Sequence, residues 1–214
     1  PGPIGVSREA MEFPFTVRGL GAPEGISIWD AATLSQLPPG ELGNLAAIVD
    51  TMGKLSAVAQ ALPQPITDIG RLRSTDQRLY LYAQRKSPHA TSVLGLIKVG
   101  HKKLFLRNPE QVLVEATPLC VLDFYVHESI QRQGIGKKLF EAVLEQERVD
   151  PAVLAYDRPS PKFIAFLRKY YGLTRYTPQN NNYVAFHEFF QGLRPGGDPK
   201  SRRGRTRSGR TGRP

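Results

Sequence analysis

A mixed α/β fold, with a central sheet flanked by helices, is predicted by three features of the sequence. The first half is β-rich, with apolar residues alternating or running together over 78–84, 92–99 and 103–106. A long apolar strand at 117–126 then leads through a glycine loop into an amphipathic helix at 134–147. Beyond it the pattern repeats as strand and helix, over 152–156 and 160–171, before the chain returns to β-rich sequence.

Each element has its own signal. Residues 12–17 mix polar and aromatic side chains as a first strand would. Over 41–62, Leu42, Leu45, Ile48, Val49, Met52, Leu55 and Val58 recur at helical spacing, and Pro63 and Pro65 end the helix. Leu79, Leu81 and Ala83 alternate along 78–84, and 92–99 is a β-rich run. Gly100-His101 is read as a turn into 103–106. The strand at 117–126 is the strongest, apolar with a single charge, Asp123. Ile135, Leu139, Phe140, Val143 and Leu144 form the stripe of the next helix. Short strands are predicted at 152–156, 173–176 and 183–190, with a helix at 160–171.

The 214 residues suffice for one domain with tails. The expected division is an N-terminal extension at 1–10 ahead of a natural start at Met11, a domain at 11–193, and a basic tail at 194–214. No run approaches the roughly 18 apolar residues of a membrane-spanning helix. Residues 1–10 lack the layout of a secretory signal. The one cysteine, Cys120, permits no internal disulfide, so a reducing intracellular compartment is expected. The net charge of +10 suggests nucleic acid until it is mapped: residues 194–214 hold eight basic residues and one acid, hence +7 of the total. A Gly/Arg-rich tail of that composition is expected to be disordered, either contacting acidic surfaces or remaining a solvated linker. His89, His101, His127 and His187 show no metal-ligand spacing, so no metal is expected.

The chemistry-bearing segment is Gln131-Arg132-Gln133-Gly134-Ile135-Gly136-Lys137, between a strand and a helix. Its glycines admit a ligand close to the backbone. The first amides of the helix have no internal partner and sit at the positive end of its dipole. A pyrophosphate fits there, with Arg132 and Lys137 adding charge. The spacing matches neither the third glycine of a dinucleotide fingerprint nor a Walker loop.

The surrounding residues sharpen the reading. Leu119-Cys120-Val121-Leu122-Asp123-Phe124-Tyr125-Val126-His127-Glu128-Ser129, the glycine loop, Asp157-Arg158-Pro159-Ser160 and Asn181-Asn182-Tyr183-Val184 together resemble the α-tubulin N-acetyltransferase family of the GNAT superfamily. The resemblance spans residues 11–190; it is strong from Gly95 onward and patchy over 16–91, with departures at 17–35 and 61–64. It implies a GNAT acyltransferase fold whose splayed strands admit the pantetheine arm of acetyl-CoA. It further implies an enzyme that acetylates a lysine of α-tubulin in microtubules. A monomer that acts through a ternary complex, in the cytoplasm and at the cytoskeleton with cilia included, is the accompanying expectation. Coenzyme contacts would fall on Phe124, Tyr125, Val126, His127, Gln131, Arg132, Gln133, Gly134, Ile135, Gly136 and Lys137. Ser160, Lys162, Phe163 and Lys169 would complete them.

Acetyl transfer needs a neutral lysine, and at pH 7 the deficit of neutral amine is about 4.6 kcal/mol. Asp157, at a strand end, is a general-base candidate or else a helix cap or ion-pair partner. Cys120 is a base, a nucleophile or an inert core residue. Gln60 matches a family active-site glutamine, orienting the amine or a water, or else is an exposed helix end. Asp123, taken by alternation to face away from Cys120, is a substrate-contact candidate with Lys98 and Lys102; all three have bland readings as ion pairs or solvated charges. Two further functions stay open: a GNAT enzyme with another protein or small-amine acceptor, and a non-catalytic module binding acetyl-CoA or a polyanion.

Overall fold

The computed structural model describes residues 11–21, 24–191 and 193. The extension at 1–10 and the basic tail at 194–214 lie outside the described residues. In chain order the first elements are β1 (Glu12–Phe13), β2 (Glu24–Trp29), α1 (Ala31–Ser35), α2 (Pro39–Ala59) and α3 (Ile69–Ser74). Four strands follow: β3 (Arg78–Ser87), β4 (Ala90–His101), β5 (Leu104–Arg107) and β6 (Leu113–Ala116). The second half comprises β7 (Leu119–Val126), α4 (Ile135–Glu147), β8 (Ala155–Asp157), α5 (Pro161–Tyr171), β9 (Tyr183–Val184) and α6 (His187–Gln191).

The main sheet runs β2-β3-β4-β7-β8-β9, with β1 also pairing with β4. All its pairings are antiparallel except β7 with β8, so the sheet is mixed as predicted. β4 is buried from Thr91 to Gly100, which explains its near-continuous apolar sequence. One face packs Ile97, Val99 and Val121 against Leu139, Phe140 and Val143 of α4 and Phe163 and Leu167 of α5. Each such side chain contributes roughly 1.5–3 kcal/mol by leaving water. The other face packs Leu79, Leu81 and Leu96 against Leu45, Ile48, Val49 and Met52 of α2. A third cluster joins the β5–β6 hairpin to Cys120, Leu122 and Phe189.

Local chemistry sets the helix limits. Asp30 and Thr33 form a reciprocal capping box at α1, with both bonds 2.8 Å long. Ser160 accepts from the Phe163 amide at 3.2 Å, Pro161 fills the first turn of α5, and Gly172 closes it. α2 ends earlier than its apolar spacing suggests: Gln60 caps it, Ala61 turns left-handed, and the Leu62 amide donates to the Ala57 carbonyl at 2.9 Å.

Several predicted bounds are corrected. The first strand is only two residues long. Gly100 is no turn; it pairs with Cys120, and β4 runs on to His101. The strand predicted at 152–156 begins at Ala155, because Asp150 caps a 3-10 turn over Pro151–Val153. The strand at 173–176 reduces to one bridge, Tyr176 with Phe186. The one at 183–190 gives way to α6 once His187 donates to the Arg175 carbonyl and Phe189 turns into the core. β2, α1, α3 and β6 have no counterpart in the sequence reading.

One ion pair ties the sheet to α4. Arg78 donates to both oxygens of Glu147 at 2.6 Å, and the Tyr80 hydroxyl adds a bond of 2.7 Å. Burial and the Glu147 carboxylate together push the Tyr80 phenol far above its usual range. Glu147→Ala is expected to cost about 2 kcal/mol, read in thermal unfolding as a Tm lower by roughly 4–8 °C.

Candidate active site

The glycine loop forms a cradle at the end of β7. Past Val126 the chain makes a 3-10 turn over Glu128–Ile130, capped by buried His127, whose Nδ1 accepts from the Ser129 amide at 3.2 Å. The Gln131 side chain returns to donate to the Val126 carbonyl at 2.9 Å. Arg132 and Gly134 then take positive φ, +66° and +83°, reversing the chain into α4. Gly134 sits at the cap position in a left-handed conformation that favours glycine, and no side chain caps the helix there. The first amides of α4 therefore remain available to an anion. Lys137 pairs with Glu141 at 3.1 Å and lies 5.6 Å from the centre of the Tyr170 ring.

Beside the cradle the sheet opens. β7 and β8 pair only through Cys120 with Ala155 and Val121 with Tyr156, whereas β7 continues to Val126. The strand edge beyond Val121 thus borders a cleft of about 310 Å³. Its wall includes eleven of the predicted coenzyme residues: Phe124, Val126, Gln131, Arg132, Gly134, Ile135, Gly136, Lys137, Ser160, Lys162 and Phe163. Tyr125 points instead into the core on the α2 side, His127 is spent on its turn, and Gln133 lines a neighbouring polar pocket. Lys169 stays outside the wall, its ammonium 5.1 Å from the Tyr170 ring centre.

Gln60 and Asp157 line the same cleft. Asp157 ends β8 with its side chain 15% exposed, and Arg158 Nε donates to Oδ1 at 3.2 Å. The capping reading of Asp157 is overturned, since Ser160 caps α5; an ion-pair partner is present. Gln60 is held from within the protein, its Nε2 donating to Asp123 Oδ1 and Ser56 Oγ, both at 2.8 Å.

Cys120 is brought close to this region but not onto the cleft. It is fully buried among Leu104, Leu122, Ala155 and Phe189, and its Sγ contacts the Pro118 carbonyl at 3.5 Å. Burial, with the Asp157 charge second, pushes its thiol up to about 12. A catalytic thiolate is therefore replaced by a packed thiol as the reading the geometry supports. At pH 8, modification by a thiol-specific reagent is expected to be roughly 10³-fold slower in the folded than in the unfolded chain, the ratio of thiolate fractions.

Of the substrate-contact expectations, that for Lys98 is corrected, whereas Asp123 lines the cleft beside Gln60 and only its expected facing is corrected. Lys98 is 3% exposed and donates to the Ile66 carbonyl, so it is not open to a substrate. Burial brings its ammonium down to about 8, opposed by the Asp123 charge. Asp123 does not face away from Cys120. Opposite β4, Lys98 pairs with Asp123 but Val99 pairs with Val121, leaving Leu122 as the extra residue of a bulge. The bulge puts Asp123 on the face of Cys120, since their partners Lys98 and Gly100 are two residues apart. Lys102 is exposed, its amide donating to the Pro118 carbonyl at 3.2 Å.

Sequence reasoning missed Ser56, Thr67, Arg158 and Tyr170. Ser56 had a signal, standing four residues before Gln60 on one helical face. Arg158 and Tyr170 reach the cleft through a turn and a helix end that no periodicity marks. Among the described residues, no group of three or more His, Cys, Asp or Glu side chains could hold a metal, and no helix is long and apolar enough to cross a membrane.

Comparison with known proteins gives a consistent set of relatives. The family model described as GNAT acetyltransferase, Mec-17 matches residues 28–213. Alpha-tubulin N-acetyltransferase of Tetrahymena thermophila is 45% identical over 184 residues, covering 85% of this chain and 45% of that protein. Alpha-tubulin N-acetyltransferase 1 of Danio rerio is 44% identical over 186 residues, covering 85% and 62%. Alpha-tubulin N-acetyltransferase 2 of Trypanosoma cruzi is 43% identical over 183 residues, covering 82% and 54%. The chain thus spans about half the length of the curated relatives it matches. Among solved structures, the xEco2 acetyltransferase domain superposes with a TM-score of 0.48 at 11% identity, covering 77% of this chain and 91% of that one.

Proposed function

The chain belongs to the GNAT acetyltransferase family described as Mec-17, and from that premise we propose that it transfers an acetyl group from acetyl-CoA to a lysine of α-tubulin in microtubules. The observation that carries the reading is the single cleft that joins the anion cradle of α4 to Gln60 and Asp157. The names of the relatives supply the acceptor.

The residues present fit acetyl-CoA. The uncapped N-terminus of α4 and the Arg132 guanidinium suit a pyrophosphate. The β7 edge beyond Val121, left unpaired by β8, offers backbone groups to an amide-bearing arm. Ser160, Lys162 and the exposed Tyr170 ring, flanked by Lys137 and Lys169, suit the nucleotide end. When bound, acetyl-CoA supplies an activated thioester.

The protein's own part is to bring a neutral amine to that carbonyl. Asp157 is placed to take up the proton that the lysine ammonium must lose before it attacks, a loss that costs about 4.6 kcal/mol at pH 7. Gln60 orients the amine, and backbone amides along the β7 edge stabilise the developing oxyanion. Attack is direct, within a ternary complex: the new C–N bond replaces the thioester C–S bond, and the nitrogen's second proton leaves with the departing coenzyme thiol; Cys120 carries no acetyl group because it is buried off the cleft. The site of action is the microtubule cytoskeleton.

The test is acetyl-lysine formation on polymerised against free tubulin with labelled acetyl-CoA. Signal on microtubules is expected. Acetyl-CoA binding without label on either tubulin form would keep the cofactor and discard the acceptor in favour of another amine.

A further inference from the structure

We propose that Asp123 is a positioning residue for acetyl transfer: it fixes the Gln60 amide so that the carbonyl oxygen, rather than the NH2, is presented to the acceptor amine. This inference rests on the proposed acetyl transfer, which it deepens.

The hydrogen bonds dictate the amide's direction. Ser56 has one hydroxyl proton, which it donates to Asp123 Oδ1 at 2.7 Å. Towards Gln60, 2.8 Å away, Ser56 can therefore only accept. The Asp123 carboxylate, also 2.8 Å from Gln60, is likewise an acceptor. Both neighbours at that end demand a donor, so Nε2 must occupy it and Oε1 the opposite end. Because Gln60 lines the cleft, the oxygen is the end left to meet a ligand. An amine about to attack a thioester carries N–H donors besides its lone pair. An acceptor opposite them aligns the amine, whereas an NH2 group would repel it.

The rest of the network keeps Asp123 in place. Thr67 Oγ1 donates to Oδ2 at 2.5 Å, and Lys98, its cross-strand partner, supplies the compensating charge. Lys98 in turn holds the Ile66 carbonyl, so α2, the 63–68 strap, β4 and β7 meet at one carboxylate that is 3% exposed. Such a satisfied buried network gives direction at little flexibility.

The test compares Asp123→Ala with Asp123→Asn, assayed well below the melting point of each. The alanine variant, lacking any acceptor, is expected to lose at least tenfold in kcat with the KM for acetyl-CoA unchanged. Asparagine, which retains one acceptor oxygen, is expected to recover most of it. A role resting on charge alone would leave asparagine as impaired as alanine and overturn the proposal. In a Gln60→Ala background, Asp123→Ala is expected to add no further loss in kcat; a full additional loss would also overturn it. The Gln60 side-chain amide, followed by 15N NMR in the wild type, should exchange slowly with solvent. Fast exchange there would sink the inference even where Asp123→Ala fails to fold. That measurement needs no acceptor, so inactivity on tubulin with a protected Gln60 amide would count against the substrate and not against the positioning.

Discussion

Asp157→Asn is expected to lower the rate of lysine acetylation by about 10²–10⁴-fold at pH 7, the range lost with a positioned general base. Asparagine has nearly the same shape and can still accept from Arg158, whose Nε now donates to Oδ1 at 3.2 Å. What it cannot do is take the ammonium proton. Acetyl-CoA affinity should survive, because the cradle is built by the 131–134 loop and α4 and not by Asp157. The pH dependence gives the loss a signature. Without a base, the rate follows the fraction of neutral lysine, which rises about tenfold per pH unit below its pKa near 10.4. The variant should therefore recover roughly 100-fold between pH 7 and 9, while the wild type gains less. Initial rates across that range decide the matter. A variant within threefold of wild type at pH 7 would remove Asp157 from the base role.

Gly53→Ala is expected to be the most damaging of the small substitutions. A Cβ at Gly53 would stand 1.9 Å from the Thr67 carbonyl oxygen and 2.9 Å from its carbon. The obstacle is backbone, so no side chain can swing away. The strap must lift from α2, and it cannot do so alone, since Thr67 bonds Asp123 and Ile66 accepts from Lys98. Overpacking of this kind costs about 3 kcal/mol, and the Tm should fall by roughly 6–12 °C. Activity should fall with it, because the Asp123 network supports Gln60. Gly43→Ala is the control on the same helix. Nothing lies within 4 Å of its Cβ, and the change should stabilise α2 by roughly 0.5–1 kcal/mol. Equal melting points for the two variants would show that the strap does not rest on Gly53.

The parts of the molecule legible in the sequence share one property: their signals are local. The strand at 117–126 announces itself by apolar length, α4 by its stripe, and the cradle by seven contiguous residues between them. Ser160, Pro161 and Gly172 likewise mark the limits of α5 within a few positions. β2 and the short helices α1 and α3 escaped because five or six residues give too little periodicity to register. The Asp30 and Asp68 caps were their available signals. α6 was misread because His187 to Gln191 is aromatic enough to pass for a strand, and only its packing under the third core cluster selects the helix.

By itself the sequence determined the anion cradle, the strand and helix that frame it, and the family resemblance that points to acetyl transfer. Tertiary structure alone decided which polar groups act together. A bulge at Leu122, invisible to simple alternation, turned Asp123 onto the face of α2. Burial withdrew Cys120 and Lys98 from the cleft. The bonds that direct Gln60 and hold the strap join residues 56 to 67 positions apart. The division has a physical cause. Backbone conformation and helix-end electrostatics are set by neighbours along the chain, whereas burial and the direction of a side-chain amide are set by groups the chain brings together only when the sheet has closed over its helices.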